Sequence, residues 1–279
     1  MSSDKQVVSI AHSPDSDDAF MFYALARGIV SSPGIEFRHV LSDIQALNAA
    51  AREGRYDMTA ISYHAYPYVA DKYVLTRAGS SVGDGYGPIV IAKKPLSPQE
   101  LRGRKIAVPG LLTTAYLALR LFEPNFEPEV VPFDEILTAV DQERFDAGLV
   151  IHEGQLTWSR SGLHNVLDLG AWWKDRHGLP LPLGANALLR SLDDDVRREC
   201  RRCLSESIRY ALDHRADALE YALQFGRGLD FEHADRFVGM YVNEYTVDLK
   251  PEVAEAAQKL LDEGHQAGLI KERVRLEFV

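Results

Sequence analysis

Two stretches of this chain, GRYDMTAIS and ERFDAGLVI, follow one plan: an arginine, an aromatic, an aspartate, then apolar residues that read as a buried strand. A second pair, DDAFMFYAL and TTAYLALRL, opens with two polar capping residues, then alanine, an aromatic ring and an apolar helix. Each half of the first two-thirds therefore reads strand–loop–helix, then a strand and a helix before another strand. Repeated α/β units of this kind predict parallel sheets with helices on both faces. Two such units, about 90 residues apart, predict two similar lobes.

The individual elements follow from local pattern. Val7–Ala11 reads as a strand. Asp18–Arg27 reads as a helix with Phe20, Met21, Ala24 and Leu25 on one face and Gly28 as its stop. Ser42 to Gln45 has the S-x-x-Q form of a capping box, opening a helix to about Glu53 that Gly54 closes. Asp57–Ser62, Lys105–Pro109 and Asp146–Ile151 read as strands, Ala115–Phe122 and Phe133–Glu143 as helices. From Asp193 onward the pattern is helical, with ADALEYALQFG stopped by Gly226, then helices over Phe231–Gly239 and Pro251–Gly264. Pro251 suits a first turn, where no amide is needed.

Gly83–Lys94 and Leu181–Arg190 read as crossings between lobes. Two crossings make a hinge, and hinged α/β lobes close over a ligand. The expected division is 1–90 plus 188–279 for one lobe and 91–187 for the other, with a helical C-terminal segment. Ligands of open α/β sheets meet the loops after the strand C-termini. Four strand ends then matter: His12 to Asp17, Ser62-Tyr63-His64, Gly110 to Thr114, and His152-Glu153.

Thr113 and Thr114 put two hydroxyls at a helix start beside free amides, which serves equally a carboxylate or phosphate site and simple capping. His152 ends an apolar strand, where an imidazole can act as a general base. Residues alone favour a buried histidine satisfied by one hydrogen bond, and more so for His12 and His64. H-E-G-Q-L is not H-E-x-x-H, so a zincin is excluded. No dinucleotide fingerprint, phosphate loop or nucleophile elbow is present, so nothing asks for a nucleotide or flavin. In HSPDSDDAF, the twelfth position counted from Asp15 is Ala26, not the glutamate an EF-hand needs. Aligned with Thr113 and Thr114, Asp17 and Asp18 read as helix N-terminal residues that favour the dipole. Cys200 and Cys203 form a C-x-x-C with no second pair nearby, read as reduced thiols on a cytosolic helix.

A net charge of −10 makes nucleic acid an unfavourable partner. No apolar run is long enough to cross a bilayer. The start MSSDKQVVSIAHSP has no basic region followed by a long apolar one, so the chain is expected in the cytoplasm.

LVIHEGQLTW, DLGAWWKDRHGLPLPLGA, PGLLTTAYLAL and AISYHAY together resemble the 1,4-dihydroxy-6-naphthoate synthases of the futalosine route to menaquinone. The resemblance extends from the first strand to YVNEYTVDL. It implies a two-lobed periplasmic-binding-protein-like fold of type II, without export, and no cofactor. It also implies cleavage of cyclic dehypoxanthine futalosine, an aromatic carboxylate, to the naphthoate. It assigns His152 as catalytic base and Ser62, Thr113 and Thr114 as substrate contacts. Apart from the resemblance, Trp172 and Trp173 read first as core residues, with packing on the bicyclic ring as the alternative. The rival readings are chorismate dehydratase of the same pathway, which the I-H-E motif and W-W segment oppose, and a non-catalytic cytosolic binder of aromatic acids. The family more often reads S-P-C-P-N-D-T-F where this chain has Ser13 to Phe20. The charges added by Asp15 and Asp17 are expected to point away from the substrate or to contact its hydroxyls.

Overall fold

The computed structural model describes residues 5–225 and 230–279; Gly226, the expected helix stop, lies outside them. Along the chain come β1 (Gln6–His12), α1 (Ser16–Ala26), β2 (Ile35–Leu41), α2 (Ile44–Arg52), β3 (Met58–Ser62), β4 (Tyr73–Leu75) and β5 (Ser81–Gly83). Then follow β6 (Ile89–Ala92), β7 (Lys105–Val108), α3 (Thr114–Phe122), β8 (Glu127–Val130), α4 (Ile136–Asp141) and β9 (Ala147–Val150). The single turn α5 (Gly154–Thr157) leads to β10 (His164–Asp168), α6 (Leu169–His177) and β11 (Leu181–Leu189). Five helices complete the described chain: α7 (Asp194–Asp213), α8 (Arg215–Leu223), α9 (Phe231–Tyr241), α10 (Glu244–Val247) and α11 (Pro251–Gln266).

The internal repeat is visible in the sheets. One has the order β2-β1-β3-β11-β4, with β5 added on β11; the other has β10-β6-β9-β7-β8. In each, three strands run parallel, β1 between β2 and β3, and β7 between β8 and β9. The expectation of wholly parallel sheets is corrected at the fourth strand. There β11 and β6 pair antiparallel with β3 and β9. Both lie in the segments expected to cross, and each enters its sheet from the other side of the molecule. The sheets change over between β5 and β6 and between α6 and β11; positions 90/91 and 187/188 fall inside strands.

The first crossing is glycine-rich because backbones meet there. A Cβ on Gly170, in the first turn of α6, would stand 1.9 Å from the Tyr86 carbonyl oxygen. One on Gly83 would stand 2.0 Å from the same atom.

Helix α1 is buried on most of its surface, with Phe20, Met21 and Phe22 all inaccessible. It packs against α7 and α8, and the Ser207 hydroxyl on α7 donates to the Met21 carbonyl at 2.8 Å. Cys200 and Cys203 are free and buried in this core, where burial pushes their thiols up to about 12 and about 11. Trp173 is wholly buried in the core of the second sheet, with Trp172 packed at its margin. Neither lines the cleft, so a role against the substrate ring is not supported. Helix α11 joins both halves, with Ala257 in a core of the first and Leu260 and Leu261 in that of the second.

Two local expectations change. Asp43, not Ser42, caps α2 by accepting from Ala46 N at 3.0 Å; Gln45 instead accepts from Leu112 N at 3.2 Å. The helix expected over Phe133–Glu143 is a 3-10 turn followed by the short α4, and Glu143 has a left-handed φ of 55°.

Candidate active site

The four strand ends converge on one cavity of about 110 Å³ between the sheets. Ser13 and Asp15 reach it after β1, Ser62 at the end of β3, Thr113 and Thr114 after β7, and His152 after β9. His12 and His64 do not line it. His12 stacks on Phe22 at 4.3 Å, and burial lowers its pKa to about 4. His64 Nδ1 lies 3.2 Å from the Thr113 carbonyl, and burial lowers its pKa to about 4 as well.

Thr113 is the N-cap of α3, accepting from Tyr116 N at 3.2 Å and donating to the Gly110 carbonyl at 2.8 Å. Thr114 donates to the Leu183 carbonyl at 2.6 Å and accepts from His64 N at 3.2 Å. Both hydroxyls are thus engaged within the protein. What the helix start offers an anion is its first-turn amides. Ser62 Oγ accepts from Asn48 Nδ2 at 3.0 Å, which leaves its own proton to donate.

His152 is held from several sides. Its Nδ1 lies 2.9 Å from Asp15 Oδ2, and its ring meets Phe133 edge-on at 4.7 Å between centroids. Its backbone is left-handed, with φ 54°, a conformation that costs a residue with a Cβ about 1–2 kcal/mol. Turned so that its nitrogen donates to Tyr241 Oη at 2.6 Å, Gln155 accepts from His152 N at 3.3 Å and supports that backbone. Glu153 accepts from Ser16 N at 3.2 Å and Ser16 Oγ at 2.9 Å, so its carboxylate binds the first turn of α1 from across the cleft.

Asp15, not Asp17 or Asp18, is the N-cap of α1; the other two lie in its first turn. Burial opposes charge on all three. For Asp15 the contact with His152 outweighs burial and holds its carboxyl well below the usual range. Asp17 is pushed well above that range by burial and by the charge of Asp15. Asp18 rises from 3.8 to about 8 for the same two reasons, although Ser13 N donates to it at 2.7 Å. That rise is equivalent to roughly 6 kcal/mol, whereas a helix dipole supplies at most about 2 kcal/mol. At neutral pH, then, the cluster carries far less negative charge than its sequence suggests. Burial would also lower the His152 pKa, but the Asp15 carboxylate and its hydrogen bond reverse this and raise it.

Asp15, Asp17 and His152 each place a donor atom within 4.8 Å of the others, a spacing a divalent cation could use. Asp15 is already hydrogen-bonded to the ring, and burial and the charge of Asp15 raise the Asp17 carboxyl well above its usual range. The arrangement is that of an acid–base cluster. Gln155, Asn186 and Tyr241 also line the cavity, and they escaped the residue-by-residue reading because none carries a local signal of its partner; Asp15 and Glu153 were marked as strand-end residues, but their partners were not. The aspartate density of HSPDSDDAF was the one visible hint.

A cleft between two equivalent sheets, joined by two crossing strands, defines the class of periplasmic-binding-protein-like folds. The alkanesulfonate-binding protein from Xanthomonas axonopodis pv. citri, solved with MOPS bound, matches with a TM-score of 0.75 over 97% of this chain and 96% of that one. At 14% identity this likeness concerns the fold alone. Within that class the chain belongs to the menaquinone biosynthesis family, whose model matches residues 8–266. It is 42% identical to the 1,4-dihydroxy-6-naphthoate synthase of Thermus thermophilus, over 98% of this chain and 100% of that one. The synthase of the same name from Streptomyces coelicolor is 37% identical, over 94% of each. A crystal structure of an Archaeoglobus fulgidus protein is 49% identical, with a TM-score of 0.91 over 95% of this chain and 98% of that one. Among the described residues no helix is long and apolar enough to cross a membrane.

Proposed function

We propose that this protein is a cytoplasmic carbon–carbon lyase that converts cyclic dehypoxanthine futalosine to 1,4-dihydroxy-6-naphthoate. The observation that carries the reading is the meeting of His152, Ser62, Thr113 and Thr114 on one cavity, in a chain so close to two naphthoate synthases. Neither a chorismate dehydratase nor a simple binder has comparable support.

The first turn of α3, with Thr113 and Thr114, and the Ser62 hydroxyl hold the aryl carboxylate. His152 Nε2 removes a hydroxyl proton from the sugar-derived ring. The oxygen lone pair then forms a carbonyl as the adjacent carbon–carbon bond breaks. Those electrons pass into the bicyclic ring, which becomes the aromatic naphthoate, while the fragment leaves as the carbonyl compound. Closure of the lobes excludes water from the intermediate.

Incubation with cyclic dehypoxanthine futalosine, followed by mass spectrometry for dihydroxynaphthoate, tests the reading. Absence of product from an intact protein that binds the substrate would sink it. His152→Ala should lose about 10²- to 10⁴-fold in kcat; undiminished turnover would remove His152 from the base's role.

A further inference from the structure

Asp15 and His152 come from opposite sides of the cleft, Asp15 from the start of α1 beside the first sheet and His152 from the end of β9 in the second. Their contact is 2.9 Å, between Asp15 Oδ2 and Nδ1. The other ring nitrogen, Nε2, is buried without a hydrogen-bond partner among the described residues, on a side chain that lines the cavity. A neutral imidazole has one N–H, and an ionised carboxylate can only accept. The proton therefore sits on Nδ1, and the lone pair sits on Nε2.

We propose that Asp15 is the positioning residue of the His152 base: reaching across the cleft, it fixes the Nδ1–H tautomer and leaves Nε2 free to take the substrate's hydroxyl proton. This rests on the reading of His152 as the base. In the step, the substrate O–H bond breaks and an Nε2–H bond forms. The electron pair stays on oxygen, and the imidazolium's charge is paired by Asp15, which takes up no proton. Because the partners stand on different lobes, the base is complete only when the cleft is shut.

The other charged or titratable groups around the ring do not replace Asp15. Asp17 and Asp18, in the first turn of α1, have their carboxyls raised above the usual range by burial and by the charge of Asp15 itself, and neither makes the contact with Nδ1. Glu153, next in sequence, is committed to Ser16. Tyr241 on α9 faces Gln155, and the group on the ring's other side is the Phe133 ring.

The test is Asp15→Asn in the full-length protein, assayed with cyclic dehypoxanthine futalosine across pH. kcat should fall about tenfold or more with KM nearly unchanged, and the acidic limb of kcat/KM should move to lower pH. The sign follows from the loss of the carboxylate that raises the imidazole's pKa. Asp15→Glu should recover part of kcat. An unchanged kcat and an unmoved limb would overturn the proposal. A second measurement needs neither a stable variant nor a known substrate: ¹⁵N chemical shifts of His152 in the unmodified protein. Neutral His152 should carry its proton on Nδ1, and an Nε2–H form would overturn the proposal even if the assigned substrate proved wrong.

Discussion

Between Ser13 and Phe20 three aspartates surround a helix start; burial opposes charge on all three, and the contact with His152 keeps it on Asp15. Asp18 shows the consequence. Its folded pKa of about 8 stands above the ordinary 3.8, so the folded state holds a proton that the unfolded chain has released. Stability from this group is complete below about pH 4 and is lost as pH rises to about 8. Asp18→Asn should flatten that decline, matching the parent protein near pH 4.5 and exceeding it near pH 8 in urea denaturation. An equal slope in both proteins would show that Asp18 ionises freely. None of this is readable from D-S-D-D, where the helix dipole alone predicts stabilised anions. The same holds for Thr113 and Thr114. Their capping role was visible from spacing, while the engagement of both hydroxyls by Gly110, Leu183 and His64 was not.

The strands and helices themselves were largely legible, because period and punctuation are local. β1, β3, β7, β9 and α11 stand within a residue or two of expectation. The misses arise where two local signals compete. Ser42 and Asp43 are both good caps, and the chain uses Asp43, freeing Gln45 to bond Leu112 across the cleft. Asp43→Ala should therefore cost about 1 kcal/mol by chemical denaturation, and Ser42→Ala less than about 0.5 kcal/mol. The reverse order would restore the S-x-x-Q cap. Phe133–Glu143 has a good helical pattern, yet it opens as a 3-10 turn and ends early at Gln142. Phe133 there packs edge-on to His152.

Bonds that span the cleft set the relation of the two halves. Besides Asp15–His152 they include Ser16–Glu153 and Asn48 to the Leu112 carbonyl at 3.4 Å. Glu153→Ala removes the carboxylate that binds the start of α1. In small-angle scattering the free variant should show a larger radius of gyration, and its KM should rise, because substrate must then supply the closing energy. An unchanged radius would mean that the remaining bridges hold the cleft by themselves.

The repeat in GRYDMTAIS and ERFDAGLVI was enough to require two α/β units, and its strand ends were enough to mark where a ligand site lies. Hydrophobic period, caps and glycine stops act over a few residues, so the chain states them directly. The antiparallel entry of β6 and β11, the pairing of Asp15 with His152 and the raised pKa of Asp17 and Asp18 were decided by the tertiary structure. Each depends on groups brought together from distant parts of the chain, as Ser16 and Glu153 are from 137 residues apart. A carboxyl's charge depends on what surrounds it after folding, and no short stretch of sequence contains its surroundings.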